Sequence, residues 1–396
     1  MRLDGITVWD GTEQLGVTDL SWESDTLAAP TPAAEDRWPG LAVIPGLIDT
    51  HVHLTGPARP GDYTYGTWPL VTTTAEQTLH AAANAQALLR FGVTTVRDMA
   101  SDERPVALRR AYDAGLLTGP RVLAYGVVNM TAGHQDLFTP PDVVHRPPTA
   151  DGPDACRALV RRYARAGMDG IKVMTGGGVL SSGDRAEWRN YTAAELDAIV
   201  DEAHALSMPV AAHAHTEQAI DAALAAGVDS IEHGTLASAG QAAEIAARGV
   251  TVAPTLVIND GIADGWVPAS EQSRAKATAL VADRDERMRA AAAAGVRYVL
   301  GTDSNGSMLP WGSVYEELAA FTRILGTTAE QALTAATSHA AAAVGLGHRI
   351  GRLAEGYAAD LVVVRGRPWQ RITDLTADAV VAVVCRGQVV HGALPR

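Results

Sequence analysis

The stretch "GLIDTHVHL", residues 46–54, ends an apolar run in two histidines, His51 and His53. A spacing of two puts both rings on the same side of an extended strand. Comparable residues close other short apolar runs: Lys172 in "GIKVM", His213 and His215 in "AAHAH", His233 in "IEHG" and Asp303 in "LGTDS". Neutral imidazole and carboxylate are ligands for zinc and similar divalent ions, and four histidines with one aspartate suffice for at least one site with an open coordination position. Only two cysteines occur, Cys156 and Cys385, too few for a disulfide framework or a thiolate knuckle, so any metal is held by nitrogen and oxygen.

Lys172 is the odd member, because an ammonium beside cations is repelled and its burial is unfavourable. Either its head reaches solvent or a backbone carbonyl, or it has reacted with CO₂ to give a carbamate, an anion able to bridge two metals. His134 lies in the loop after the third apolar run. His80, His145, His204, His339, His348 and His391 fall on helices, in a loop tip or near the chain ends, and are read as ordinary structural residues.

The elements that must bring these residues together follow from patterning. From about residue 43 short apolar runs alternate with Ala-rich segments of helical period, as in repeated βα units with a parallel sheet. Eight such runs are present: "AVIPGLIDTH", "VTTVRDM", "RVLAYG", "GIKVM", "PVAAHAH", "SIEHG", "VTVAPTL" and "RYVLGTD". Eight units over this length fit a TIM-like (β/α)₈ barrel better than an open doubly wound sheet. In a barrel, the ends of these strands converge on one axial cup.

The two chain ends are short β-rich pieces, such as "GITVWDG" and "AVVAVVCRGQVVHG", neither sufficient for its own sheet. Residues 1–44 and 347–396 are therefore expected to pair into one small β-sandwich domain beside a barrel of residues 45–346. Long Pro- and Gly-rich connections follow several strands, including "TGPARPGDYTYGTWP" and "NDGIADGWVPASEQ", and such loops build the active-site face of a barrel. Among their residues Arg185, Tyr191, Tyr63, Tyr65 and Trp311 are candidates for gripping a carboxylate or peptide. The run "TGGGVLSSGD" lacks the Lys-Ser/Thr ending of a P-loop, and Gly176, Gly177 and Gly178 are read as allowing close backbone approach to the site.

With a formal charge of −13 the chain is a poor candidate for nucleic acid or anionic membrane. The densest basic run, "RALVRRYARAG", has the spacing of a solvated helix face. No run of eighteen apolar residues marks a membrane span, and "MRLDGITVWDG" lacks the pattern of a signal peptide, so a cytoplasmic protein is expected, compatible with a homo-oligomer.

Taken together, "PGLIDTHVHL", "IKVMTGGGVLSSGD", "AAHAHT", "IEHGT", "GTDS" and "GRLAEGYAADLVVV" resemble the metal-dependent amidohydrolase superfamily over essentially the whole chain. The resemblance lies in the branch of Xaa-Pro dipeptidases and carboxypeptidases, with ochratoxin-hydrolysing amidases and imidazolonepropionase-like proteins nearby. It implies a binuclear zinc centre in which His51, His53 and Asp303 hold one ion, His213 and His233 the other, and N6-carboxylated Lys172 bridges them. It also implies His213, the first histidine of the strand-five motif, rather than His215 as the ligand, leaving His215 to face substrate or to support the ligands from behind. Two departures stand out: Thr216 occupies a position that is acidic in deaminases and imidazolonepropionases of the superfamily, with Glu217 one later, and "TAGHQD" replaces the relatives' "TGGHGD" around His134.

A hydroxide between two metal ions is a ready nucleophile at neutral pH. The expected function is hydrolysis of an amide or peptide bond in a peptide, N-acyl amino acid or similar small molecule, near a C-terminal residue or in maturation of a modified peptide. Asp303 would carry the proton, and His134 or His215 would support the oxyanion. The alternatives are a cyclic-amide or lactone hydrolase on the same centre and a metal-free interaction protein of the same fold.

Overall fold

All eight apolar runs form strands, and the strands join in chain order into one curled parallel sheet. A computed structural model of the protein describes residues 1–59, 66–143 and 146–395. It gives β1 (Leu47–Val52), β2 (Val93–Ser101), β3 (Arg121–Val128), β4 (Gly170–Met174), β5 (Val210–Ala214), β6 (Ser230–His233), β7 (Thr251–Ala253) and β8 (Arg297–Tyr298). Every residue of β1, β4, β5, β6 and β7 is buried, as parallel strands with both faces covered must be. β8 is short because the chain beyond it turns its hydrogen bonds to β1: Thr50 N–H donates to Leu300 O at 2.8 Å, Asp303 N–H to His51 O at 2.7 Å and His53 N–H to Ser304 O at 2.9 Å. These bonds set Asp303 beside the two histidines of β1.

The intervening helices start and stop where their sequences say. Ala193–Ala205 begins in a capping box of Thr192 and Glu195, and Glu217–Ala226 ends at Gly227 in the left-handed conformation. The basic run lies on helix Pro153–Ala166, where Arg157 and Arg161 pair with Glu202 as an ordinary solvated face.

Two expectations are corrected. "AVIPGLIDTH" is two strands, not one: Leu41–Pro45 belongs to a second sheet and β1 starts after Gly46, whose absent Cβ would lie 2.1 Å from Thr94 Oγ1. "NDGIADGWVPASEQ" is not wholly a loop, since Leu256–Asp264 is helical through Gly261, where a Cβ would strike Val267 and Trp266. The two chain ends pair with each other in the second sheet. Its order is Gln388–Gly392, Val380–Cys385, Leu361–Arg365, Leu41–Pro45, Arg2–Trp9, Gln14–Glu23, Thr26–Leu27, with Thr31–Pro32 also on Gln14–Glu23. The central strands of this sheet are buried on both faces: Ala42, Ile44, Val362 and Val364 join the main core, while the alternate Val43, Leu361 and Val363 pack with Ile6, Val8, Leu20 and Trp22. That double burial explains the unbroken valine runs at the chain's end. A buried ion pair, Arg121 Nε to Asp360 Oδ2 at 3.1 Å, pins the start of β3 to the end sheet.

Tyr63, Tyr65 and His145 lie outside the described residues. Among the described residues no helix is long and apolar enough to cross a membrane.

Candidate metal centre

The strand ends open into a cavity of about 880 Å³, and His51, His53, His134, Lys172, His213, His215, His233 and Asp303 all line it. Asp303 Oδ1 lies 3.0 Å from His53 Nε2 and 3.5 Å from His51 Nε2. The His51 and His233 ring centres are 5.3 Å apart, those of His213 and His233 4.6 Å, and those of His215 and His233 4.4 Å. Two sets of ligand atoms fall within 4.8 Å of one another: His213, His215 and His233, and His51, His233 and Asp303. His233 is common to both, and His53 adjoins the second through Asp303. His213 on β5 and His215 just past its end are both close to this cluster. His213 Nε2 faces Gly177 O at 3.2 Å, and His215 Nδ1 faces Thr235 Oγ1 at 2.8 Å.

Burial, reinforced by neighbouring rings and Lys172, holds His213 and His233 well below the usual imidazole range and brings His215 to about 3. These rings are neutral at pH 7, with lone pairs free for a Lewis acid. Burial opposes charge on Asp303 as well, but His51, His53 and Lys172 outweigh it and bring the carboxyl down to about 2. Lys172 is 2% exposed, and its Nζ has no hydrogen-bond partner among the described residues. Burial lowers its pKa to about 8. A buried ammonium with nothing to satisfy it is costly. The neutral rings, the ionised aspartate and this orphaned amine together fit a divalent metal centre better than they fit a self-contained polar cluster.

A layer behind the rings escaped sequence reading. Glu232, fully buried, lies 2.7 Å through Oε2 from His51 Nδ1 and accepts from Arg97 Nη2 at 2.7 Å and Ser230 Oγ at 2.9 Å through Oε1. Arg97 and His51 overcome the burial of Glu232 and set its pKa near 2. Arg97 also lies over the Tyr125 ring, in space left by Gly170, where a Cβ would meet that ring. Asp49 accepts from Thr302 Oγ1 at 2.7 Å and from the His51 N–H at 3.1 Å, while burial raises it to about 6. Such partners fix ring orientation. Glu232→Gln leaves Arg97 without its counter-charge, so a loss of about 3–5 kcal/mol in urea denaturation is expected; a loss under about 1 kcal/mol would show that the pair contributes little.

His134 is held by the Gly-rich loop after β4. Its Nδ1 is 2.6 Å from Ser181 Oγ, which donates to Asp184 at 2.7 Å; Asp184 accepts from Lys276 Nζ at 2.6 Å, and Lys276 also donates to Gly178 O and Ser181 O. Gly178 must be glycine, since a Cβ would sit 2.0 Å from the His134 ring. Burial works against the Asp184 charge, but His134, Lys276 and Ser181 prevail and hold its pKa below the ordinary carboxylate value. A depressed folded pKa means that this stabilisation is complete above about pH 4 and is lost as pH falls towards the folded value. Asp184→Asn should therefore flatten the acid limb of a melting-temperature profile below about pH 4, and an unchanged limb would assign that limb to other carboxylates.

Other candidates are placed elsewhere. Tyr191 is in the core with its hydroxyl on Ala150 O, Trp311 is buried with Nε1 on Asn84, and Arg185 does not line the cavity. Thr216 caps helix Glu217–Ala226, and Glu217 pairs with Arg287 at the surface. His80 accepts from the Ala58 N–H and His204 pairs with Asp229, ordinary roles both.

The amidohydrolase family model matches residues 42–390. Ochratoxinase of Aspergillus niger is 32% identical over 366 residues, covering 87% of this chain and 74% of that protein, and its crystal structure superposes with a TM-score of 0.86 over 99% of this chain and 95% of that one. A Xaa-Pro dipeptidase crystallised with methionine in its active site is 27% identical, with a TM-score of 0.88 over 99% of this chain and 100% of that one. Imidazolonepropionase of Deinococcus radiodurans is 26% identical, covering 93% of this chain and 89% of that protein. The chain thus belongs to the amidohydrolase family and is a hydrolase.

Proposed function

We propose that the protein is a binuclear zinc amidohydrolase that cleaves an amide bond in a peptide or N-acyl amino acid, on a closed (β/α)₈ barrel of residues 45–346 flanked by a composite domain of residues 1–44 and 347–396. The observation that carries this reading is that His51, His53, His213, His233 and Asp303 line one cavity with a buried Lys172 amine that has no hydrogen-bond partner among the described residues. In this reading His51, His53 and Asp303 hold one ion and His213 and His233 the other. Lys172, once its amine has added to CO₂ with formation of an N–C bond and release of a proton, would supply a carbamate as a further anionic ligand. Such ions, when bound, activate water and polarise the carbonyl.

The chain's own residues supply the rest. Asp303, ionised and beside His53, accepts the proton of the attacking water and passes it to the departing amine. His215 faces the carbonyl oxygen as negative charge develops, and His134 contacts substrate from the wall of β3's loop. Phe138, Val143, Leu180, Ile258 and Ile262 give the cavity an apolar side suited to the side chain of a peptide-like substrate. The dipeptidase and ochratoxinase likenesses support a substrate of this kind.

The test is metal analysis after reconstitution with zinc and bicarbonate, followed by a panel of N-acyl amino acids, Xaa-Pro dipeptides and longer peptides. Two zinc ions per chain and release of a free amine are expected. One ion or none, with all six side chains intact, would overturn the binuclear reading.

A further inference from the structure

Behind β7 the backbone does something a threonine seldom does. Thr255 is fully buried and has φ +47° and ψ +54°, a left-handed conformation that β-branched residues avoid. Its hydroxyl oxygen is 2.7 Å from His233 Nδ1, and His233 itself has φ +72°. Two successive departures from regular backbone, one at the end of β6 and one after β7, thus meet in a single hydrogen bond. Something must hold Thr255 there, since among the described residues its own carbonyl accepts only from Asn259 Nδ2 at 3.3 Å.

The holder is Glu317. This residue, from helix Val314–Ala320, is fully buried, and its two carboxylate oxygens accept separately from the next two main-chain amides: Leu256 N–H at 2.7 Å and Val257 N–H at 2.9 Å. Those amides open helix Leu256–Asp264 directly after Thr255. Rotating Thr255 out of its strained conformation would swing both amides away from the carboxylate. The nearest cation, Arg284, is engaged with Asp260 and the Leu256 carbonyl and makes no bond to Glu317.

We infer that Glu317 is a positioning residue for the metal centre, acting through the Leu256 and Val257 amides and the Thr255 hydroxyl to orient His233. The inference rests on His233 being a ligand, as proposed above. Glu317→Gln replaces one acceptor by a donor facing an amide, so only one of the two bonds survives. Thr255→Val keeps the side-chain shape and removes only the hydroxyl.

The decisive measurements are zinc release to a chelator from the reconstituted protein, and the ¹⁵N signals of the His233 ring in metal-free, histidine-labelled protein. Glu317→Gln and Thr255→Val should each speed zinc loss by about 10–100-fold, with the far-ultraviolet dichroism unchanged, and the double variant should be no worse than the worse single one. The His233 ring should report one tautomer in the parent and a mixture in Glu317→Gln. Parent-like zinc retention and ring signals in Glu317→Gln, or additive losses in the double variant, would overturn the inference. Glu317→Asp, which keeps both acceptors but draws them back, replaces the Gln variant should that fail to fold. A parent protein that holds no zinc would count against the metal reading alone, because the ring signals still judge Glu317.

Discussion

Lys172→Met is expected to abolish stable occupancy of the paired-metal site and to lower kcat/KM by at least about 10³-fold, the scale of the several kcal/mol that metal-held charge contributes to such transition states. Methionine preserves the length and most of the volume of the side chain, so packing is little disturbed. It also removes an amine that is buried without a hydrogen-bond partner among the described residues. The metal-free variant should therefore melt no lower than the metal-free parent, even as zinc content falls, because an unsatisfied charge in an apolar setting opposes folding. Bicarbonate should accelerate zinc uptake by the parent and leave the variant unaffected. Full zinc content and undiminished turnover in Lys172→Met would remove the carbamate from the reading altogether.

The second large effect is expected at Asp303. Its carboxyl, brought to about 2 by His51, His53 and Lys172 against the pull of burial, is ionised throughout the neutral range. Asparagine has nearly the same shape and can still present an oxygen, but it cannot take up a proton and hand it on. A fall in kcat of about 10²–10⁴-fold is expected for a lost general acid–base group, with KM changed far less and zinc partly retained. Turnover within about tenfold of the parent would place the proton transfer on another residue, with His215 the next to test.

The rings of the site were legible because strand periodicity is simple: residues two apart share a side, and in repeated βα units such residues collect at one end. His51, His53, Lys172 and His213 needed only that rule. The partners behind them did not obey it. Glu232 adjoins His233 in sequence, and strict alternation would send them to opposite sides; both reach the interior because the backbone turns to φ +72° at His233. Asp303 departs similarly, with φ +60°. Asp184 comes from the loop after β4 and Lys276 from helix Glu271–Val281, and they meet only in the folded chain, so no local spacing advertises them. Tyr191 misled because a tyrosine in a Gly-rich connection looks exposed, whereas this connection folds back and buries the ring. "NDGIADG" misled because its glycines outweighed a helix start held by a distant glutamate. At the chain ends the mixture of valines and turns identified the strands, but not that the central strands of their sheet would be covered on both faces.

The end sheet has a consequence for biosynthesis. Strand Leu41–Pro45 leads directly into β1, yet one of its two neighbours, Leu361–Arg365, is made only after the whole barrel. While translation proceeds, the edge of Leu41–Pro45 that this late segment covers stays open, with its amides and carbonyls available to any passing strand. Contacts so distant along the chain form slowly, and such half-finished intermediates are prone to associate. Loss of the final forty residues would make that interval permanent, and the nascent protein would depend on chaperones rather than on its own cylinder to stay dispersed.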